Sequence, residues 1–394
     1  MAGLGELVSA DFGSPHATRG AVESATPAGA AIGRSSRARG AVDPSFWEGR
    51  RVLLTGHTGF KGAWLALWLQ SLGAVLTGFS DCVPTEPSLY ELAHVGDSMQ
   101  SVVGDIRDPA AIEAALLACD PEVVIHMAAQ SLVRRSFSEP RLTYETNVMG
   151  TVNLLDAVRR SGSVRVLVNV TSDKCYDNRE WEWAYREPEP MGGHDPYSNS
   201  KGCAELVTSA FRRSFFSDPD GTRLASARAG NVIGGGDWAE DRLIPDIMRA
   251  ALAGETLHVR NPGAIRPWQH VLNPLSGYLV LAQALWESSD FACAWNFGPA
   301  DDDAREVGWI VRRMSELWPH QLRVSHDDGP HPHEARHLKL DSSRARAHLG
   351  WHPTWGLAEG LEAVVDWYAR LRNGNDMRTA TFEQIRAFQY PPTR

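Results

Sequence analysis

Two short clusters of ionisable side chains have the residue types needed for proton transfer. Tyr197 and Lys201 are four residues apart, so they share one face if the segment is helical. A tyrosine near its free pKa is a poor base at neutral pH, and an adjacent ammonium lowers that pKa by stabilising the phenolate. Ser172, Asp173 and Lys174 place a hydroxyl, a carboxylate and an amine in succession just after an apolar run. A solvated turn would also explain this second cluster, but its position favours an active site, because ligands collect at the carboxyl ends of strands in open α/β sheets.

A glycine-rich segment lies near the start of the apolar part of the chain. The run 51–55 leads directly into a GxxGxxG sequence, and a helical stretch follows. Glycines at this spacing permit a tight turn, close approach of the backbone to a pyrophosphate, and close packing of a helix on a strand. The start of the helix then faces the phosphates. The segment predicts dinucleotide binding through Gly56, Thr58, Gly59, Phe60 and Gly62.

Three further residues are candidates for the adenosine half of that cofactor. Asp81 stands where a carboxylate at the end of a second strand would hold the ribose diol and favour NAD over NADP, although this stretch also reads as loop. Asp105 and Ile106 follow a third strand and would lie beside the adenine. Asp105 could also cap the helix that begins near Pro109, and both roles can hold together.

The elements that must position these residues follow an alternating pattern. Short apolar runs recur at 51–55, 74–79, 122–126, 165–170 and 224–228, each followed by a longer amphipathic stretch. Such runs are typical of buried parallel strands, and their alternation with helices predicts a doubly wound α/β sheet. We expect a Rossmann-type domain over 46–235 with a last strand from 268–300. We expect a smaller mixed α/β substrate lobe from 236–267 and 301–385.

Composition limits the class of protein. The 394 residues carry a formal net charge of −9, which argues against a nucleic-acid partner, and no apolar run is long enough to cross a bilayer. The five cysteines lack metal-ligand spacing, so we expect reduced thiols, a cytoplasmic protein and no metal site. Residues 1–45 are rich in Ala, Gly, Ser and Arg, which predicts a disordered tail; a transit peptide is the weaker alternative. The histidines of 331–337 suggest no metal site, but His333 and Glu334 could close a pocket.

Several motifs, taken in order, resemble those of the CDP-glucose 4,6-dehydratases, which belong to the NAD-dependent sugar epimerase/dehydratase family of extended short-chain dehydrogenases. The resemblance covers about residues 46–370. It rests on these segments: Gly56–Gly62, His126–Gln130, Asn147–Thr151, Thr171–Tyr176, Gly193–Ser198, Arg228–Trp238 and Arg266–Val271. Ser172 and Lys174 stand where the broader group of sugar dehydratases has threonine and glutamate.

The resemblance implies a redox-neutral removal of water from a nucleotide hexose, with tightly held NAD. Tyr197 and Ser172 would take the proton of the sugar 4-hydroxyl, and Asp173 would protonate the departing 6-hydroxyl. Lys174 would remove the C5 proton, and for this it must be neutral, a form that burial and the neighbouring Lys201 both favour. Alternatively, Lys174 only stabilises an enolate, and Asp173 is both acid and base. The product would be the 4-dehydro-6-deoxy sugar nucleotide. The resemblance to the CDP-glucose 4,6-dehydratases implies that the substrate is CDP-D-glucose.

The resemblance also implies residues around the reacting groups. Asn147 would support the active-site lysine, unless it is only a polar helix residue, and Ala128, Ala129 and Gln130 would line the cofactor groove. The candidates for contact with the substrate are Gln130, Ser131, Arg134, Asn231, Arg249, Arg266 and Trp268. Arginine suits a diphosphate because it binds phosphate oxygens in pairs, but Arg249 could equally be in a surface salt bridge. A homo-oligomer, dimer or tetramer, is expected.

Two other functions use the same scaffold. A nucleotide-sugar 4-epimerase or decarboxylase would need Tyr197 and Lys201 but no acid to expel a 6-hydroxyl, so Asp173 and Lys174 favour the dehydratase. A non-catalytic dinucleotide sensor would keep only the glycine-rich loop, and the intact Tyr197, Lys201, Ser172 and Asp173 argue against it.

Overall fold

A computed structural model describes residues 40–326 and 338–391. Thirteen strands occur in this part of the chain: β1 Arg51–Thr55, β2 Val75–Ser80, β3 Gln100–Val103, β4 Val123–His126, β5 Val166–Val170, β6 Arg223–Ala229, β7 Val232–Ile233, β8 Thr256–Val259, β9 Ile265–Pro267, β10 Gln269–His270, β11 Ala294–Phe297, β12 Ala304–Glu306 and β13 Arg323–His326. Seven of them form one sheet in the order β11-β6-β5-β4-β1-β2-β3. Every pairing in this sheet is parallel.

The same residues form thirteen α-helices: α1 Pro44–Trp47, α2 Phe60–Ser71, α3 Leu89–Leu92, α4 Pro109–Cys119, α5 Val133–Ser138, α6 Pro140–Tyr144, α7 Gly150–Ser161, α8 Pro196–Ser214, α9 Leu243–Ala253, α10 Leu272–Glu287, α11 Val307–Leu317, α12 Leu357–Arg372 and α13 Met377–Gln389. Short 3₁₀ turns include Asp173–Cys175, and two π-helical turns span Glu145–Met149 and Ala345–Leu349.

The predicted doubly wound sheet is confirmed. The strands 51–55, 122–126 and 165–170 agree with β1, β4 and β5 within one residue, and their side chains are buried because helices cover both faces of the sheet. The last strand expected between 268 and 300 is β11, which pairs in parallel with β6. After β7 to β10, which belong to other sheets, the chain therefore returns to the seven-stranded sheet, as the sequence predicts.

The smaller lobe is built from short pieces. β8 pairs with β13 in parallel, and β9 pairs with β12 in an antiparallel register, so the segments on either side of β11 meet in space. The C-terminal helix α13 packs against both α12 and α2, and the rings of Trp68 on α2 and Phe388 on α13 are 5.6 Å apart. The helix α2 is apolar on all sides because it is covered by both the sheet and α13.

The ordered domain begins before residue 46. The side chain of Asp43 caps α1, and its backbone N–H donates to Gln283 Oε1 at 3.0 Å. Trp47 donates to the same oxygen at 3.0 Å and is fully buried, so α1 is fixed to α10. The rest of the predicted tail, residues 1–39, lies outside the described residues, and so does the segment with His333 and Glu334. In the described residues, no helix is long and apolar enough to span a membrane, and all five cysteines are free thiols.

Candidate active site

A large cleft lies along the carboxyl ends of the parallel strands, where the sequence predicted it. Its volume is about 1540 Å³, and one wall comes from the seven-stranded sheet and the other from the smaller lobe. It is lined by all the predicted site residues except Asn147 and Arg249. The fold therefore brings the glycine-rich loop, the Ser-Asp-Lys cluster and the Tyr–Lys pair to one cavity.

The glycine-rich loop has the backbone geometry that a dinucleotide cradle requires. Gly56 has φ +78°, and a Cβ there would be 2.7 Å from the backbone N of Ala128. A Cβ on Gly62 would be 2.0 Å from the carbonyl oxygen of Gly56, so α2 can pack this closely on β1 only because the residue is glycine. Gly59 is the N-cap of α2 without a side-chain hydrogen bond to the helix, which leaves the helix N-terminus available to an anion.

Asp81 and Asp105 lie at neighbouring strand ends. Asp81 directly follows β2, is exposed to the cleft, and accepts a hydrogen bond from the N–H of Cys82 at 2.9 Å. Asp105 pairs with Arg107, with 2.5 Å between Oδ2 and Nη2, and this contact lowers the pKa of the carboxyl. The helix cap predicted for Asp105 is wrong, because Asp108 caps α4 instead. Ile106 is buried beside Asp105 in the cleft wall.

The Ser-Asp-Lys cluster forms a short 3₁₀ turn immediately after β5. Ser172 Oγ donates to Asp173 Oδ1 at 3.0 Å and accepts from the N–H of Lys174 at 3.2 Å. Asp173 is 2 % exposed, and its Oδ2 has no hydrogen-bond partner in the described chain. A Cβ on Gly230 would be 2.9 Å from that oxygen, so a glycine opposite makes room for it. Burial raises the pKa of Asp173, which favours a protonated carboxyl able to donate to a ligand.

The Tyr–Lys pair lies on α8, so the two residues share one helical face. Asp195 caps this helix through the N–H of Ser198, and Pro196 begins it, so Tyr197 is fixed in the first turn. Tyr197 and Ser172 line the same cleft, so the Tyr–Lys pair and the Ser-Asp-Lys cluster lie together. Burial raises the pKa of Tyr197 to about 12, so the net shift is upward, and the lowering of this pKa by Lys201 stays a prediction. The pKa of Lys201 is itself lowered to about 8 by burial.

A buried ion pair holds these two clusters together. Glu205, one turn after Lys201, accepts hydrogen bonds from Arg228 Nη2 at 2.7 Å and from Ser226 at 2.7 Å. It also accepts from the hydroxyl of Thr171 at 2.5 Å, at the start of the catalytic turn. Arg228 and Glu205 are each 4 % exposed. Removing either partner would leave a buried charge uncompensated, so this contact fixes α8 against β5 and β6. Sequence reasoning missed it because the two residues are 23 positions apart.

Asn147 forms hydrogen bonds with the backbone of Gln130. Asn147 Oδ1 accepts from the N–H of Gln130 at 2.9 Å, and its Nδ2 donates to Ser200 at 2.9 Å. The side chain of Gln130 donates to Thr143 at 2.9 Å and accepts from the N–H of Leu132 at 2.6 Å. Asn147 is thus outside the cleft lining and clamps the loop after β4, which also carries Ala128 and Ala129.

Lys61 is a site residue that sequence reasoning did not single out. It lies in the first turn of α2, lines the cleft, and donates to the hydroxyl of Tyr278 at 3.0 Å. Burial lowers its pKa to about 7; the positive charges of Lys201 and Arg242 act in the same direction, whereas Asp173 opposes them. Its place inside the glycine-rich motif was the available signal, since a lysine at the start of a buried helix is unusual.

The substrate side of the cleft contains two of the three predicted arginines, Arg134 and Arg266, but not Arg249. Asn231, Arg266 and Trp268 line it as expected, and Trp268 donates to the carbonyl oxygen of Arg305 at 3.0 Å. Arg249 donates to the carbonyl oxygen of Trp238 at 2.8 Å, pairs with Asp246, and is not among the lining residues, which favours its alternative role in a salt bridge.

Ser131 and Arg134 line the cleft near two arginines that were not predicted. Ser131 accepts a hydrogen bond from Arg242 at 3.1 Å, and Arg134 shares a carboxylate with Arg260. The sequence around Arg242 and Arg260 contains no motif, and only the fold of the smaller lobe brings them to the cleft.

The seven-stranded parallel sheet, the glycine-rich loop and the Tyr–Lys pair on one helix define an extended short-chain dehydrogenase/reductase. Residues 53–364 match the sequence model of the family described as GDP-mannose 4,6 dehydratase. The chain belongs to that family.

Named relatives agree with this assignment. The chain is 54% identical over 358 residues to the CDP-glucose 4,6-dehydratase of Salmonella typhimurium strain LT2, an alignment that covers 90% of this chain and 100% of that protein. Its fold is similar to a UDP-glucose 4-epimerase from Thermotoga maritima, solved with UDP-glucose, with a TM-score of 0.71 at 21% identity over 81% of this chain and 99% of the other. It is also similar to a dTDP-glucose 4,6-dehydratase from Bacillus anthracis strain Ames in complex with NAD, with a TM-score of 0.69 at 22% identity, covering 84% and 99%.

Proposed function

We propose that this protein removes water from a nucleotide hexose at C4, C5 and C6, with CDP-D-glucose as the substrate and CDP-4-dehydro-6-deoxy-D-glucose as the product. The observation that carries the proposal is the buried carboxyl of Asp173, whose Oδ2 lacks a hydrogen-bond partner in the described chain and lies in the same cleft as Tyr197. An epimerase has no need of such an acid. The 54% identity to a CDP-glucose 4,6-dehydratase supports both the reaction and the choice of nucleotide.

The cofactor of the proposed reaction is NAD, and the glycine-rich loop fits it. The absent Cβ atoms of Gly56 and Gly62 allow the tight turn, and the uncapped start of α2 offers backbone N–H groups to the pyrophosphate. Asp81 follows β2, where a carboxylate holds a ribose diol and disfavours NADP. Asp105 and Ile106 would hold the adenine. When bound, NAD⁺ would supply the acceptor for the C4 hydride and, once reduced, the donor of a hydride to C6, while a proton returns to C5, so the cycle is redox-neutral.

Tyr197, with Ser172, takes the proton of the sugar 4-hydroxyl in this mechanism. Both side chains are buried and line the cleft, so with the substrate bound the phenol and the serine hydroxyl can form a short path for the proton. With a pKa of about 12 the phenol is not ionised at pH 7. The base therefore depends on positive charge brought close to it, and Lys201 on the next turn of α8 contributes one such charge.

Asp173 protonates the 6-hydroxyl as it leaves, and Lys174 removes the proton from C5. A ketone at C4 makes the C5 proton acidic, so a single positioned amine is a sufficient base. Lys174 lines the cleft, half-buried, and its backbone N–H is held by Ser172. If Lys174 instead stabilises an enolate, Asp173 is the acid and the base in turn.

The remaining features are part of the same proposal. Arg266, Asn231 and Trp268 bind the nucleotide diphosphate and base. The smaller lobe, from 236–267 and 301–385, holds the substrate against the Rossmann domain. The protein acts in the cytoplasm as a homo-oligomer, and its thiols are reduced there.

A panel of nucleotide sugars tests the proposal. The full-length protein with NAD is incubated separately with CDP-, dTDP-, GDP- and UDP-glucose and with GDP-mannose. The mass of each product is then measured by mass spectrometry. Loss of one water from CDP-glucose, at a higher kcat/KM than from the others, is the expected outcome. An unchanged mass together with a changed sugar configuration would indicate an epimerase, and loss of carbon dioxide from a uronic acid substrate would indicate a decarboxylase.

A further inference from the structure

One carboxylate joins the two walls of the substrate side of the cleft. Asp241 Oδ1 accepts a hydrogen bond from Arg260 Nη1 at 2.9 Å, and the same oxygen is 3.4 Å from Arg134 Nη1. Arg134 lies on α5, which follows a strand of the large sheet, whereas Arg260 follows β8 of the smaller lobe. All three residues line the cleft. Two guanidinium groups from opposite walls thus share a single oxygen.

The neighbouring pair of Asp237 and Arg242 differs from Asp241 and its two arginines in its exposure to solvent. Asp237, four residues earlier, pairs with Arg242 at 3.1 Å but is 3 % exposed and also accepts from the N–H of Ala239 at 3.2 Å. Asp241 is 42 % exposed. An exposed ion pair contributes little free energy, because water solvates both partners well when they separate. Asp237 is therefore fixed, and Asp241 is the carboxylate that can leave at low cost.

A phosphate would satisfy the same two arginines better than Asp241 does. Each guanidinium can donate two parallel hydrogen bonds to phosphate oxygens, but Arg134 and Arg260 meet only one oxygen of this carboxylate. Asp241 lies between the two cations and offsets their repulsion, and Arg260 is in addition 3.8 Å from Asp246 Oδ2. The carboxylate keeps them at the separation at which an anion can bridge them.

We propose that Asp241 is an internal substitute for a phosphate group: it occupies the anion position between Arg134 and Arg260, and the diphosphate of the substrate displaces it. This inference rests on the proposed function only for the statement that the natural ligand is a nucleoside diphosphate. Two consequences follow. Arg134 and Arg260 are ligands of the diphosphate, and Asp241 weakens diphosphate binding, because its ion pairs must break first.

Binding of inorganic pyrophosphate to the full-length protein saturated with NAD, whose own pyrophosphate then occupies the glycine-rich loop, tests this at constant ionic strength. Asp241→Asn keeps the shape of the side chain and removes the competing charge, so we expect a Kd about three- to tenfold lower than in the wild type. Glu240→Gln is the matched control, because it makes the same change of net charge at an exposed neighbouring residue; we expect less than about a twofold effect. Cytidine, which has no phosphate, should bind all three proteins equally.

Arg260→Gln supplies the second half of the test. It should weaken pyrophosphate binding and abolish the gain from Asp241→Asn in the double variant. The reason is that Asp241 and pyrophosphate no longer compete for the guanidinium of Arg260. An equal affinity of the Asp241→Asn and Glu240→Gln proteins, or weaker binding by Asp241→Asn, would overturn the proposal. If Asp241→Asn does not fold, Arg134→Gln must still weaken binding of pyrophosphate and not of cytidine. Failure of the nucleotide-sugar panel would refute the dehydratase activity but leave the pyrophosphate result standing.

Discussion

Replacing Asp173 with asparagine is the sharpest test of the chemistry. The carboxyl is 2 % exposed, one of its oxygens accepts from Ser172 at 3.0 Å, and the other has no hydrogen-bond partner in the described chain. Asparagine has almost the same shape and can accept the Ser172 hydrogen bond, so the local geometry should persist. What it cannot do is deliver a proton to a leaving hydroxyl. General acid catalysis contributes about 10²- to 10⁴-fold, or about 3–5 kcal/mol of barrier, and kcat for loss of water should fall by this factor.

The assay separates acid chemistry from the earlier steps. Reactions are run in deuterated water, and both the dehydrated product and the recovered substrate are analysed for deuterium at C5. Because the base at C5 remains, the Asp173→Asn protein should return substrate with deuterium at C5 while forming little product. Asp177→Asn, an exposed residue four positions later, is the control and should react as the wild type does.

Stability gives an independent readout of the same residue. Burial raises the pKa of Asp173, so the folded state binds more protons than the unfolded state between the two pKa values. The free energy of unfolding therefore falls as the pH rises through that range, and the ionised carboxyl is unfavourable at pH 7. The Asp173→Asn protein should have a Tm at pH 7 equal to or above that of the wild type. Wild-type water loss in this variant would refute the acid role, and loss of C5 exchange together with water loss would show that Asp173 also acts earlier.

Four further substitutions test other parts of the reasoning. Lys174→Met should abolish incorporation of solvent deuterium at C5, and incorporation at the wild-type rate would show that Lys174 is not the base. Gly62→Ala should weaken NAD binding by tenfold or more, measured by calorimetry, because its Cβ would be 2.0 Å from a carbonyl oxygen; Gly263→Ala, with open space around its Cβ, should not. Arg228→Met should lower the free energy of unfolding in urea by about 3–5 kcal/mol, because it leaves a buried carboxylate unpaired; a loss below about 1 kcal/mol would contradict this reading. Lys61→Met should flatten the rise of unfolding free energy with pH between about 7 and 10.5, because the wild-type lysine binds fewer protons folded than unfolded in that range, at most 1.36 kcal/mol per pH unit.

Local patterns in the sequence were sufficient for the sheet and for part of the site. β1, β4 and β5 are short apolar runs because parallel strands are buried on both faces, and this is visible without coordinates. The condition under which Tyr197 and Lys201 share one face, a helical segment, is met by α8, which Asp195 caps and Pro196 begins.

Long-range partners could not be read in this way. Arg249 and Arg266 were both candidates for the diphosphate, yet Arg249 pairs with Asp246 and is absent from the cleft lining, whereas Arg266 is part of it. Likewise, the prediction for Tyr197 considered only its neighbour on the helix, whereas desolvation by the surrounding protein raises its pKa to about 12. Burial depends on every element that packs around a residue, and no local window contains them.

By itself the sequence determined the residue types and spacings of the chemistry: the glycines that allow a close turn, the phenol and ammonium on one helical face, and the acid at the end of a strand. These are properties of the backbone over a few residues, so they hold wherever the segment lies. Only the tertiary structure decided which charges meet. It placed Glu205 beneath the catalytic turn and Asp241 between two arginines, because charge–charge contacts depend on distance in space and not along the chain.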